Sequence, residues 1–222
     1  MLRPTTRLAN LNPPRRLQTA AQRERARARV FRPLAIELGW LVYEWNRLQA
    51  SLADLFADIT RKEDSRVPLA IWHTINSERD QRRMLQAAID ATYMVESPKP
   101  RVHADISWIL KQLNSLAGKR NDAIHSPLIF ITQLDAEGEM EGVEILPMYF
   151  FGNPRAAGLK DKSLLQEFKW YRDHLGRLAK FAELLHFALA FPDYLWPDRP
   201  QLPPVGQFRS RRATTRRKNK SK

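Results

Sequence analysis

The chain has 222 residues, 43% of them hydrophobic, which is enough for one well-buried domain with extensions and does not require two. It contains no cysteine, so disulfides, zinc knuckles and thiol nucleophiles are excluded together, and that usage fits a reducing compartment. The formal net charge of +13 points to a polyanionic partner, but where the charge lies qualifies the inference.

Nine arginines against the single acid Glu24 give residues 1–32 a charge of +8, and nine Arg and Lys with no acid give residues 199–222 a charge of +9. Residues 33–198 therefore carry −4, so the basicity belongs to the two ends. Cationic arms of this kind gather RNA, DNA or anionic lipid by counterion release and screened attraction, or are solvated ends with no specific role. No apolar run reaches the roughly 20 residues that span a bilayer, so no transmembrane segment is expected. The Arg-rich, acid-poor start resembles an organelle transit peptide in composition, yet no serine occurs in the first fifty residues. A cytoplasmic protein of bacterial type is the expectation.

Pro4, Pro13 and Pro14 make residues 1–16 irregular, and Arg15 to Phe31 then reads as a basic helix ending before Pro33. Residues 1–32 are thus a basic, partly helical N-terminal extension, and residues 33–191 the bundle proper. From Leu34, the series Leu38, Leu41, Trp45, Leu48, Leu52, Leu55 and Ile59 steps by four and three, the mark of a long helix with a heptad-like seam. A second helix is expected from about Val67 to Val95, with Pro68 in its first turn. Its middle, Asn76 to Arg83, is polar on every face, and is either solvated or the lining of a wet cleft.

Pro98 and Pro100 precede a third helix, roughly residues 102–125, with a stripe at Ile106, Ile109, Leu113 and Leu116. The same stepping lands next on Arg120, a charge where the pattern asks for a buried residue. A buried guanidinium must meet an acid, a carbonyl, a partner subunit or a ligand phosphate, since left alone it is costly. After Pro127 the segments Leu128–Leu134 and Val143–Phe151 are rich in branched and aromatic residues and flank a polar turn, which reads as a β-hairpin at about 128–151. A last helix, about Asp161 to Phe191, repeats the seam from Leu164 to Leu189. Five prolines between Pro192 and Pro204 then rule out regular structure, and residues 192–222 form a Pro-rich, then Lys/Arg-rich tail. Most of the six tryptophans fall in these helices and are read as core or dimer contacts rather than base-stacking platforms. The architecture is an all-α bundle of four long helices, with the hairpin inserted between the third and fourth and an extra basic helix at the N-terminus.

The candidate chemistry closes the third helix, at Arg120-Asn121-Asp122-Ala123-Ile124-His125, where Ser126 and Pro127 stop it. A cation that stabilises phosphorane-like charge and an imidazole that exchanges protons are the minimum equipment for metal-free RNA cleavage. Asn121 stands four residues before His125, on the same helix face, where its amide can orient the ring. Arg120 and His125 are about 140° apart around the helix, which a long arginine can span. The helix C-terminus favours the imidazolium, which suits a proton donor. The competing structural reading pairs Arg120 with an acid such as Glu44 or Glu78 and leaves His125 as a helix cap. The histidines His73, His103, His174 and His186 lie at no metal-ligand spacing, and neither a phosphate-cradling glycine loop nor a Gly-x-Ser-x-Gly elbow is present. Asp105, in the first turn of its helix, reads as a dipole-favoured surface acid.

A bundle whose third helix ends in Arg, a polar residue, three others and His resembles the HEPN superfamily. Arg120, Asn121 and His125 match that signature without departure, and the helix order corresponds over roughly residues 34–191. The resemblance implies a metal-independent endoribonuclease without cofactor, acting as a homodimer whose two motifs meet across a two-fold axis. Arg120 and His125 would be its catalytic pair and Asn121 the supporting residue. It also implies RNA, single-stranded, as the substrate, and the toxin of a toxin–antitoxin or defence system as a setting, with an antitoxin as partner. Superfamily members without catalytic activity give the alternative, a nucleic-acid-binding or assembly module working through its basic ends. In either case Arg209, Arg211, Arg212, Arg216, Arg217 and Lys218 are the residues expected to attract nucleic acid.

Overall fold

The computed structural model describes residues 19–60, 65–95, 101–136, 140–150 and 152–204. Within them the chain folds as α1 (Ala20–Thr60), α2 (Arg66–Thr74), α3 (Glu78–Val95), α4 (Val102–His125), β1 (Leu128–Leu134), β2 (Met140–Pro147), α5 (Pro154–Gly158) and α6 (Leu164–Ala190). This is a helical bundle with one two-stranded antiparallel hairpin inserted after α4. None of these helices is long and apolar enough to cross a membrane.

The seams read from the sequence are the core. Leu41, Trp45, Leu48, Leu52 and Leu55 of α1 are fully buried, as are Ile106, Ile109 and Leu113 of α4 and Phe168, Leu175, Leu178 and Leu185 of α6. The two longest helices run parallel: Arg172 donates to Glu37 at 2.7 Å near one end, and Asp58 meets His186 at 2.6 Å near the other. Three of the tryptophans, Trp45, Trp72 and Trp170, are buried, but Trp40 is 50% exposed.

The structure differs from expectation in four places. Pro33 does not divide an N-terminal helix from the bundle, because α1 runs through it for 41 residues. The segment before the proline is braced by the hairpin: Phe31 packs edge-on against Phe130 of β1, and Arg27 lies 5.7 Å over the same ring. That bracing offsets the hydrogen bond the proline removes. The expected second helix is broken in its polar middle. α2 ends with Ile75 in an extended conformation, and Ser77 accepts from the backbone N–H of Asp80 to start α3. The short α5 has no counterpart among the expected elements. Asn153 caps it, accepting from the N–H groups of Arg155 and Ala156 at 3.0 and 3.3 Å, with Pro154 in the first turn. In the hairpin, Leu128 faces Pro147 and the register shifts at a bulge between Gln133 and Leu134; the second strand spans Met140–Pro147, earlier than the expected segment from Val143.

The proline-rich stretch after α6 is irregular as expected, yet it straps back onto α4. Asp105 is 1% exposed, not a surface acid: it accepts from the Trp196 indole at 2.8 Å and from Arg199 Nε at 2.5 Å, with Arg101 at 3.5 Å. Trp170 donates to the Pro204 carbonyl at 2.6 Å. Arg199 therefore belongs to the bundle, although by charge it groups with the tail.

His174 of α6 is buried against Trp170, and neither ring nitrogen is hydrogen-bonded among the described residues. Burial, helped by the cations of Lys119 and Arg177, pushes its pKa down from the usual 6.5 to about 4. The unfolded chain therefore takes up this proton first, and the stability tied to neutral His174 is complete above about pH 6.5 and lost as the pH falls toward 4. Urea midpoints measured across that interval should fall with acid, and His174→Phe should flatten the fall. Pro33→Ala, which restores a helical N–H, should raise stability by about 1–3 kcal/mol in the same titration.

Candidate functional site

α3 and α4 are joined antiparallel by a ladder of polar contacts. Four residues spaced by four along α3, Glu78, Arg82, Gln86 and Asp90, face α4, while Leu85 and Ile89 turn into the core. Glu78 lies 3.9 Å from Arg120, and Arg82 Nε donates to Asn114 at 2.8 Å. Gln86 donates to Ser107 at 3.1 Å, and Asp90 meets His103 at 2.7 Å. The middle of the expected second helix is polar because it carries one side of this ladder.

At the ladder's end Arg120 extends the α4 stripe. Its guanidinium lies 4.9 Å over the fully buried Trp45 ring, a cation–π contact, and Nη1 donates to the Asn121 side-chain oxygen at 2.9 Å. Glu78 is near at 3.9 Å, but its short bond, 2.9 Å, is to the Trp45 indole N–H. Arg120 Nε is buried with no hydrogen-bond partner among the described residues. Of the two acids that the sequence offers, Glu78 is the neighbour of Arg120. Glu44 instead pairs with Arg47 at 2.9 Å and lies where α1 and α6 close together at Gly176.

His125 is exposed at the last turn of α4 and has no hydrogen-bond partner among the described residues. Asn121 therefore holds Arg120 and not the imidazole ring, and Arg120 and His125 are not joined by a hydrogen bond. Next to them the Ser126 hydroxyl is buried without a hydrogen-bond partner among the described residues. α5 presses on this end of α4: a Cβ at Gly158 would come within 2.9 Å of the Asp122 carboxylate oxygen, so a larger residue there would displace that side chain. Burial raises the Asp122 pKa, with the cations of Arg155 and Lys162 opposing it.

Three contributors are not legible in the sequence. Trp45 is one apolar position in a seam, and nothing in its spacing says that an arginine stacks on it. Arg155 reaches the Asn121 carbonyl at 3.3 Å only because α5 exists. Arg82, 6% exposed, is buried on the polar face of α3, which its sequence neighbours would place in solvent. Arg209, Arg211, Arg212, Arg216, Arg217 and Lys218 lie outside the described residues, as does residue 151 of the hairpin segment.

The exposed stripe Ile36, Trp40 and Tyr43 lies on the far side of α1, roughly 160–220° around the helix from Trp45 at ~100° per residue. A two-fold contact through that stripe would leave two Arg120 segments apart. Among the described residues no three His, Cys, Asp or Glu side chains converge as metal ligands. Comparisons with models of known protein families, with curated proteins and with solved structures found no match to this chain.

The short bond from Trp45 to Glu78, rather than the longer Glu78–Arg120 pair, is the stabilising one. Glu78→Leu should cost about 1–3 kcal/mol by orphaning a buried indole N–H. In a Trp45→Phe background the same change should cost much less, and urea denaturation of the double-mutant cycle reads the difference.

Proposed function

We propose that this protein is a metal-independent endoribonuclease of HEPN type, cleaving single-stranded RNA as a homodimer. The supporting observation is Arg120: a guanidinium in a core position, stacked on Trp45, tethered by Asn121, at the end of the helix whose last turn carries an exposed His125, with neither Arg120 Nε nor His125 partnered among the described residues. Such an arginine is already oriented and partly desolvated, and an arriving phosphate would complete its hydrogen bonding. A free imidazole at a helix C-terminus is accessible for proton transfer.

In the dimer, the two α4 ends face each other so that Arg120 and His125 of both subunits surround one phosphodiester. One imidazole accepts the proton of the 2′-hydroxyl, whose oxygen attacks phosphorus while the arginines stabilise the charge on the non-bridging oxygens. The bond to the 5′-oxygen breaks, and that oxygen takes a proton from the partner's His125. The products are a 2′,3′-cyclic phosphate and a 5′-hydroxyl end. The basic termini raise local RNA concentration without reading bases. A toxin neutralised by an antitoxin, in the cytoplasm, is the setting that follows from this reading.

A second reading, a non-catalytic nucleic-acid-binding or assembly module, draws on the 3.9 Å Glu78–Arg120 approach and on Asn121 serving Arg120 instead of His125. RNA cleavage in excess EDTA separates the two. Arg120→Ala and His125→Ala should each lower the rate by about 10²-fold or more with the circular dichroism spectrum preserved. Cleavage that persists in both variants would sink the assignment, and binding without cleavage in the parent protein would favour the module.

A further inference from the structure

A cavity of about 470 Å³ opens beside the α3–α4 ladder, and Ala117 in its lining is one turn of α4 before Arg120. Three arginines line it, Arg79, Arg82 and Arg83, with Gln86 and Asn114 as its other polar residues. Arg82 is only 6% exposed, and its sole hydrogen bond among the described residues runs from Nε to Asn114; its Nη1 is buried with no partner. No carboxylate forms an ion pair with it among the described residues. Glu78, one turn back, favours its charge electrostatically, while burial and Arg79 oppose it. Arg83 is 3.3 Å from Asp80, and Arg79 is exposed. A guanidinium has five N–H donors, and burying one with a single bond is costly unless something supplies acceptors and negative charge.

We propose that this cavity is a phosphate-binding site, with Arg82 as its buried anchor and Arg79 and Arg83 as its rim. A tetrahedral dianion or a phosphodiester supplies the acceptor that Arg82 Nη1 lacks and the charge that offsets three cations. The Asn114 amide nitrogen, left free when its oxygen accepts from Arg82, is a further donor. The site lies off the Arg120–His125 motif and takes no part in bond breaking. Asn114 and Arg120 are six residues apart on α4, about 9 Å along the axis, a distance that a short stretch of a single strand spans. One RNA strand can thus hold a phosphate here while another phosphate of the same strand reaches Arg120. That strand assignment rests on the ribonuclease reading; the phosphate site does not.

The test uses the full chain and an RNA oligonucleotide methylated at every 2′-oxygen, which lacks the attacking hydroxyl, so binding is read whether or not the protein cleaves RNA. Arg79→Gln/Arg83→Gln alters the exposed rim, Arg82→Gln the anchor, and Lys169→Gln/Lys180→Gln removes two exposed cations from α6 as a charge-matched control. Fluorescence anisotropy should show the rim variant binding about fivefold or more weakly than the control, with its log–log salt slope reduced by about 0.7, the change for one single-strand phosphate no longer neutralised. Titration calorimetry with inorganic phosphate forms the second arm. Loss of oligonucleotide binding in the rim and anchor variants assigns the phosphate to a strand, and loss confined to the inorganic arm assigns it to a free anion. Equal losses in rim variant and control, or no loss in either arm, would overturn the site. The rim variant keeps the test decisive if Arg82→Gln fails to fold.

Discussion

The parallel packing of α1 on α6 is the constraint from which the rest of the bundle follows. Each helix has one apolar stripe, and together these bury Leu41, Trp45, Leu48, Phe168, Leu175 and Leu178 completely. Truncating such a side chain costs about 2–5 kcal/mol, so little else in the molecule competes with this contact. Glu37–Arg172 and Asp58–His186, each with a largely buried carboxylate, fix its register. With α1 held in place, Trp45 becomes a fixed platform under the end of α4.

Arg120 takes its meaning from that platform. A guanidinium over an indole, bonded to its neighbouring Asn121 and loosely near Glu78, is neither a neutralised core ion pair nor a solvated surface charge. The α3–α4 ladder extends the same compromise over three more turns. Where α1 and α6 meet through hydrocarbon, α3 and α4 meet through Glu78, Arg82, Gln86 and Asp90, and the join is wet enough to leave a cavity. Polar seams are weaker than apolar ones, and here the weaker seam is the one that carries unpaired cationic groups.

Much of the fold is legible in the sequence because periodicity reports burial directly. The stepping of α1, α4 and α6 names their core residues, and the change of period after Pro127 marks the hairpin. The misreadings come from punctuation. Pro33 reads as a stop, but the Phe31–Phe130 contact that carries α1 through it joins residues about a hundred positions apart. The polar run at residues 76–83 reads more readily as solvated than as cleft-lining, since its partners Asn114 and Arg120 sit on another helix. Asp105 looks like a surface acid because the strap that buries it, Trp196 and Arg199, arrives from the far end of the chain.

The sequence by itself determined which faces are apolar, where the hairpin falls, that the charge is gathered at the ends, and that Arg120 interrupts an apolar stripe. These are local properties, set by side-chain spacing along one element. The tertiary structure alone decided what answers Arg120: Trp45 beneath it, Asn121 beside it, Glu78 close but committed to the indole. It also decided that Arg82 is buried with an unpaired nitrogen, and that His125 stays exposed. Partnership between elements depends on which helices pack together and in what register, and no periodicity within one helix encodes that.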